Sequence, residues 1–240
     1  MLKREAARTL PNHQSERGRT LALLLLSATA GSTDAIGFLG LNGLFTAHIT
    51  GNIVILAGHL VAQGRAGVAE MISVPVFMVV LGLARLIGLV LDRYGKGAAD
   101  RALLILQFAL LLGFFLLCLP LGHTFDTDAP WVTPAGMCGV AAMAVQNVLV
   151  QISIPGAPST AVLTTNITRF TVAAVESVAG PATNRRAAHE KVAATFPPIV
   201  GFLIGCAAGC FLEWQIGLPA LLLPVLLSLA ALRVNVHCFR

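Results

Sequence analysis

A short polar pattern occurs twice in this chain, each time between stretches long and apolar enough to cross a membrane. Residues 46–56 read TAHITGNIVIL and residues 160–170 read TAVLTTNITRF, so both contain the frame T-A-x-x-T-x-N-I. Hydroxyl and amide groups at membrane depth cost free energy unless they line a cavity or find hydrogen-bonding partners. Two copies in corresponding halves of a chain predict a binding site where two membrane repeats meet.

The scarcity of charge argues against a soluble globular protein. Hydrophobic residues make up 56% of the 240 positions and charged residues 11%, whereas soluble domains carry about 25% charged residues. A chain so poor in charge cannot cover a water-facing surface, so we expect the lipid bilayer to contact most of its exterior. The net charge of +5 is distributed between apolar runs, which does not indicate nucleic-acid binding.

Six segments are apolar enough to form spanning helices, which need about 20 residues each. They are 20–41, 71–92, 102–122, 131–152, 192–213 and 217–235. Two further segments, 46–63 and 160–179, contain the polar frames and are weak as spans. We therefore predict an all-α polytopic membrane protein with six transmembrane helices and two short re-entrant or broken helices.

The placement of basic residues decides between six and eight spans. Lys and Arg are enriched in cytoplasmic loops, and the N-terminal arm, residues 1–19, is basic. With six spans, the basic stretches 92–101 and 181–191 and both chain termini fall on the cytoplasmic side, while the acidic connection 122–130 falls outside. The alternative, eight spans in parallel repeats, would put 93–101 outside. We expect a bacterial inner (plasma) membrane protein with both termini cytoplasmic.

The two halves, 20–122 and 131–235, correspond beyond the polar frames. Pro75 matches Pro197 near the start of a span, and Asp34 lies opposite Gln146 or Asn147. Three spans per half is an odd number, so consecutive halves insert in opposite senses. The sequence therefore predicts two inverted repeats.

A buried carboxylate in the first span is a candidate for proton or ion coupling. Asp34 lies about half a bilayer thickness beyond the basic arm. Burying a charged side chain there costs free energy, so its presence indicates a function. Arg85, in the next strong span, is the second coupling candidate. The structural alternative is a fixed ion pair between Asp34 and Arg85.

The polar frames supply the candidate solute ligands. Hydroxyl, imidazole, amide and guanidinium groups near a helix start suit a small anion or carboxylate. The predicted substrate-binding residues are Thr46, His48, Thr50, Asn52, Thr164, Asn166 and Arg169. The alternatives are helix capping by the threonines, packing or proton transfer by His48 and His59, and pairing or snorkelling for Arg169.

The runs AGSTDAIGF at 30–38 and FTAHITGN at 45–52 resemble those of the YoaK-like family of small bacterial inner-membrane proteins, a domain-of-unknown-function family. The resemblance covers about residues 18–235. It implies a polytopic bacterial membrane protein and no established activity.

Two functions fit the sequence. The first is a secondary transporter or channel for a small polar, anionic solute bound between the repeats. The second is a non-transporting membrane scaffold or partner subunit, with the frames as packing contacts. The chain has no recognisable catalytic motif, so we expect neither an enzyme nor a cofactor or metal site. Gly201, Gly205 and Gly209 form a small-residue stripe, which is a candidate packing face and a candidate homodimer face.

Overall fold

A computed structural model describes residues 13–62, 67–95, 97–121, 131–154 and 156–238. Within these ranges the chain is helical and contains no strand. The helices are α1 (His13–Gly40), α2 (Ile49–Ala62), α3 (Val68–Leu91), α4 (Ala98–Cys118), α5 (Val132–Ser153), α6 (Leu163–Ala179), α7 (Ala182–Ile216) and α8 (Leu222–Cys238). Short 3-10 turns occupy Leu119–Leu121 and Leu218–Leu221. Most of the predicted basic arm, residues 1–12, lies outside the described residues.

Each predicted segment contains a helix. By length and composition, five of the described helices can cross a membrane, namely α1, α3, α4, α5 and α7. The predicted span 217–235 differs, because a 3-10 turn takes its first residues and leaves α8 with 17. The two weak segments form α2, with 14 residues, and α6, with 17. At about 1.5 Å per residue both are shorter than a hydrocarbon core of about 30 Å.

The chain breaks before α2 and α6 in similar ways. After α1, Asn42 and Gly43 adopt left-handed backbone angles, with φ of 54° and 92°. After α5, Gly156 does the same, with φ of 76°. Glycine adopts this conformation without steric cost. Each break reverses the chain, so that residues 44–48 and 157–162 return alongside the helix they have just left.

Two apolar clusters at opposite ends of the bundle show how the helices alternate. The Leu44 cluster joins the ends of α1 and α4 to the start of α5 and the turn before α8: Ile36, Leu41, Leu44, Phe114, Cys118, Ala135, Leu218, Ala220 and Leu221. The Leu149 cluster joins the starts of α1 and α4 to the later parts of α3, α5 and α8: Leu23, Leu26, Ala84, Leu103, Leu104, Val145, Val148, Leu149, Val150, Ile154 and Ala231. Helices α1 and α4 therefore run opposite to α3, α5 and α8.

A third apolar cluster, the Met143 cluster, contains residues from both polar frames. Its members are Ala30, Ala47, Leu111, Ala142, Met143, Ala161, Phe202 and Val225. Ala47 and Ala161 are the alanines of the two T-A-x-x-T-x-N-I copies. The frames thus meet the same apolar core, where their alanines pack with small side chains of α1 and α5.

The glycine stripe of α7 packs against α1 of the same chain. A Cβ atom at Gly201 would collide with the Leu24 carbonyl, one at Gly205 with the Ala28 carbonyl, and one at Gly209 would lie 3.0 Å from the Ser32 Cα. The contacts advance together along both helices, so α1 and α7 are parallel. The stripe is therefore a packing face, as predicted, but the prediction of it as a homodimer face is wrong, because α1 occupies it.

Candidate functional site

The carboxylate of Asp34 organises the first polar frame. Its Oδ1 accepts hydrogen bonds from the backbone N–H groups of Thr46, at 2.8 Å, and Ala47, at 2.7 Å, and from the Thr46 hydroxyl at 3.2 Å. Its Oδ2 contacts Nδ1 of His48. Asp34 is only 3% exposed, so these bonds satisfy a buried group that would otherwise be costly. They also fix residues 46–48 against α1. We call this group the Asp34 cluster.

The ion pair considered between Asp34 and Arg85 is not formed in the described structure. The carboxylate partners come from residues 46–48, and Arg85 lies on an exposed face of α3. Arg85 as a coupling residue remains a prediction, but one without contact to Asp34. His48 is half-buried beside Phe45 and Phe202, so one edge of the Asp34 cluster borders α7.

Asn52 ties the start of α2 to the loop before it and to α3. Its Oδ1 accepts from the Phe45 N–H at 2.8 Å, and its Nδ2 donates to the Phe45 carbonyl at 2.7 Å. Nδ2 also donates to the Ser73 hydroxyl at 3.0 Å. Asn52 is fully buried. These contacts match the packing alternative for this residue.

Asn166 makes the corresponding contact in the second frame, with one difference. Its Nδ2 donates to the carbonyl of Ser159, seven residues earlier, as Asn52 does to Phe45. Its Oδ1 is buried and has no hydrogen-bonding partner among the described residues. The second frame therefore holds a spare acceptor that the first frame does not have.

This difference predicts unequal effects of the same substitution. Asn52→Leu removes three hydrogen bonds and strands the Phe45 N–H, so we expect a loss of about 3 kcal/mol of unfolding free energy at about 1 kcal/mol per bond. Asn166→Leu removes one bond and an unpaired oxygen, so we expect a loss of about 1 kcal/mol or less. Thermal unfolding of the detergent-purified variants measures both. Equal losses would contradict the described bonding.

Gln146 has the place in the second half that Asp34 has in the first. Its Nε2 donates to the Thr160 hydroxyl at 2.9 Å and to the Leu26 carbonyl at 2.9 Å. Its Oε1 accepts from Nε2 of Gln107 at 2.6 Å. Thr160 is thus held by a neutral amide, whereas Thr46 is held by a carboxylate. Of the two residues that the sequence placed opposite Asp34, Gln146 makes the equivalent contact.

A second histidine–carboxylate pair joins α2 to α3. Nδ1 of His59 lies 3.7 Å from Oε1 of Glu70, and Glu70 is only 4% exposed. From the sequence we considered packing or proton transfer for His48 and His59, and Glu70 was not among the predicted residues. Each histidine faces its own carboxylate. The available signal was the position of Glu70, an acidic residue eleven positions after His59 at the start of an apolar helix.

Two adjoining cavities lie in the second half of the chain, and Arg169 lines both. The larger, of about 540 Å³, lies between α6 and α7 and carries the charged side chains of Arg169, Glu176 and Lys191 with the hydroxyls of Thr168 and Thr195. The smaller, of about 230 Å³, is lined by polar groups from the end of α5, the α5–α6 connection and the start of α6. These are Asn147, Gln151, Ser159, Thr160 and Thr165, with Arg169.

The structure separates the predicted ligands into two groups. Thr46 and His48 surround Asp34, and Asn52 lies next to them through Phe45. Arg169 borders the cavities, where Lys191, Glu176 and Thr195 were not predicted. Three predicted ligands lie in neither group: Thr50 and Thr164 are exposed, and Asn166 is buried and bonded to the Ser159 carbonyl.

Comparison with known proteins gives a family and no activity. A protein-family model described as "Protein of unknown function (DUF1275)" matches residues 22–234. No functionally curated protein matches the chain, and no solved structure matches it.

Proposed function

Since the chain belongs to the DUF1275 family, which includes the YoaK-like proteins and whose description gives no activity, we propose a function from the structure. The protein is a secondary transporter or channel for a small polar, anionic solute. Its partners are the lipid bilayer and that solute. The proposal is supported by a bundle of apolar helices that carries buried polar groups at two chain breaks and a charged cavity beside one of them.

The proposed architecture is six spans in two inverted repeats. Helix α1 ends at the Leu44 cluster and α3 begins beside it at Ala69, so α2 enters and leaves at one end of the bundle. Helix α5 ends at the Leu149 cluster, and α7, parallel to α1, begins at that same end. Helix α6 therefore enters and leaves at the opposite end from α2. The halves then have opposite senses, as the inverted arrangement requires.

The charges support one orientation of this bundle. Arg93, Arg101, Arg185 and Arg186 lie at or beyond the Leu149 end, where α3 ends and α4 and α7 begin. Helix α4 ends at the Leu44 end, and the sequence that follows it, 122–130, contains acidic residues and no Lys or Arg. By the bias of basic residues to the cytoplasm, we assign the Leu149 end and both termini to the cytoplasm of a bacterium, with the bundle in its inner membrane.

The single observation that carries the transport proposal is that the two halves differ in a matched place. In the first half, the Asn52–Ser73 hydrogen bond and the His59–Glu70 contact fasten α2 to α3. The match of Pro75 with Pro197 aligns Ser73 with Thr195. Both hydroxyls donate to their own helix, but only Ser73 also accepts a hydrogen bond from the frame asparagine, because Asn166 donates to Ser159. There a cavity opens between parts of α6 and α7, which otherwise pack against each other. The two halves therefore differ in whether polar contacts fill the space between the short helix and the span that follows it, an asymmetry of the kind that alternating access between inverted repeats requires.

Flux measurements test this proposal. In liposomes, the purified protein is expected to accelerate uptake of at least one radiolabelled anion among glutamate, succinate, phosphate and sulfate. Arg169→Gln should abolish the uptake, because the cavity loses its guanidinium. Arg186→Gln is the matched control, since Arg186 is an exposed arginine like Arg169 but pairs with Glu190 outside the cavity. If the folded wild-type protein moves none of the four anions, the scaffold function is favoured.

One observation favours the alternative function, a non-transporting scaffold. Every polar atom of the Asn52 side chain bonds to protein groups, as expected for a packing contact between helices. A homodimer also remains a prediction, through a surface other than the glycine stripe of α7.

A further inference from the structure

From the side chains that line the larger cavity, we infer that it binds a small oxyanion that also carries an amino group. The inference rests on the proposed function only for the claim that this ligand is carried across the membrane. Binding itself is measured without transport.

Two cations from different helices line this cavity without an ion-pair partner. Arg169 comes from α6 and Lys191 from α7, and neither forms a salt bridge with another described residue. Both side chains are exposed, so the cavity is an open cleft, and cationic side chains without an ion-pair partner in such a cleft attract anions. The planar guanidinium group of Arg169 can bind a carboxylate or phosphate with two parallel hydrogen bonds. The cavity therefore has the groups that an oxyanion requires.

Glu176 favours a ligand that also carries a positive charge. It lines the same cavity two turns beyond Arg169 on α6, about 10 Å along the helix axis. Glu176 also forms no salt bridge with the rest of the described chain. Two cations and one carboxylate are complementary to a ligand with two negative groups and one ammonium. A plain dianion would leave Glu176 unpaired and repelled.

The hydroxyl groups in the cavity wall, like Glu176, favour a ligand that donates hydrogen bonds. Thr168 donates its proton to the Thr164 carbonyl, and Thr195 donates to the Lys191 carbonyl. Each hydroxyl oxygen keeps acceptor capacity after its proton is used. The cavity thus offers acceptors at Thr168, Thr195 and Glu176, which suit the N–H groups of an amine.

Two sources supply this chemistry. One is a free amino acid with two carboxylates, such as glutamate. The other is a lipid headgroup with a phosphate and a primary amine, because the exposed Val172 in the cavity wall gives acyl chains an apolar surface. Both present an oxyanion to the cations and an ammonium to Glu176, and the amino acid has a second carboxylate for the other cation.

A matched pair of ligands tests the free-solute source. Glutarate is glutamate without the amino group, so the difference between them isolates the role of Glu176. In lipid-depleted detergent solution, glutamate at saturation is expected to raise the Tm of the protein by about 3 °C and glutarate by less. Arg169→Gln should remove both shifts. Glu176→Gln should remove the preference for glutamate, and Arg186→Gln should leave both shifts unchanged.

A separate experiment tests whether the ligand is a lipid headgroup. Phosphatidylethanolamine carries N–H donors on its headgroup, whereas phosphatidylcholine has the same phosphate with a methylated amine. A larger Tm rise with phosphatidylethanolamine that needs Arg169 and Glu176 identifies the ligand as a headgroup. If neither glutamate nor phosphatidylethanolamine gives an Arg169-dependent shift, the inference is wrong. If the protein binds such a ligand but moves no anion, the transport proposal is wrong and the binding site is confirmed. If it moves an anion but shows no such binding, the transport proposal is supported and this inference is wrong.

Discussion

Replacing Gly205 with alanine is expected to lower the Tm by roughly 6–12 °C, because among the described glycines its Cβ position comes closest to backbone atoms of another helix. The added Cβ would collide with the carbonyl group of Ala28 in α1. That carbonyl belongs to the helix backbone, so no side-chain rotation relieves the contact, and α1 and α7 must separate. Overpacking of this kind costs about 3 kcal/mol. Thermal unfolding in detergent, followed by tryptophan fluorescence, measures the shift.

Gly82→Ala is the matched control for this substitution. Gly82 lies within α3, and nothing stands within 4 Å of the position its Cβ would take. Alanine also has the higher helix propensity, so we expect an unchanged or slightly higher Tm. A Gly205→Ala protein as stable as Gly82→Ala would show that α1 and α7 do not pack this closely.

The second large effect is expected for Asp34→Ala. The substitution leaves the N–H groups of Thr46 and Ala47 buried without an acceptor, and it removes the partner of His48. At about 1–3 kcal/mol for each stranded donor, we expect a loss of roughly 2–6 kcal/mol in unfolding free energy. The variant should reach the membrane at reduced yield and unfold at a clearly lower temperature than the wild type.

Asp34→Asn separates the hydrogen bonds of this residue from its charge. The amide oxygen can still accept from residues 46 and 47, and the amide nitrogen can donate to His48. We therefore expect folding within about 1 kcal/mol of the wild type and, if Asp34 couples transport to protons, uptake that no longer responds to a pH gradient. An Asp34→Asn protein as unstable as Asp34→Ala would mean that the charge itself holds residues 46–48 in place.

Much of the fold could be predicted because a lipid environment restricts the secondary structures that a sequence can adopt. Long apolar runs have few alternatives to helices in a membrane, so α1, α3, α4, α5 and α7 lie where the runs do. The polar frames marked the two short helices because polar residues weaken a span. The start of α8 was missed, since the leucine-rich run from 217 to 235 does not indicate where a 3-10 turn gives way to an α-helix.

The candidate site was harder to predict, because its contacts depend on how distant helices pack. Asp34 was found because a carboxylate in an apolar run is conspicuous, but its partners lie beyond a reversed turn. Lys191 lies in a basic stretch that we predicted to be a cytoplasmic loop, and the packing of α7 on α6 brings it to the same cavity as Arg169. Glu70 was missed for a similar reason, because the crossing of α2 over α3 brings it to His59.

The confinement of the Asp34–His48 pair to one half has an electrical consequence. A carboxylate beside a protonated imidazole has no net charge, so moving this pair through the membrane field does no work against the voltage. If the imidazole is neutral, the pair carries one negative charge, and moving that charge across 100 mV involves about 2.3 kcal/mol. Gln146, the matched residue of the other half, is neutral and adds no such charge. Under the proposed rocking, the pair would therefore make the equilibrium between conformations sensitive to the membrane potential only while His48 lacks its extra proton.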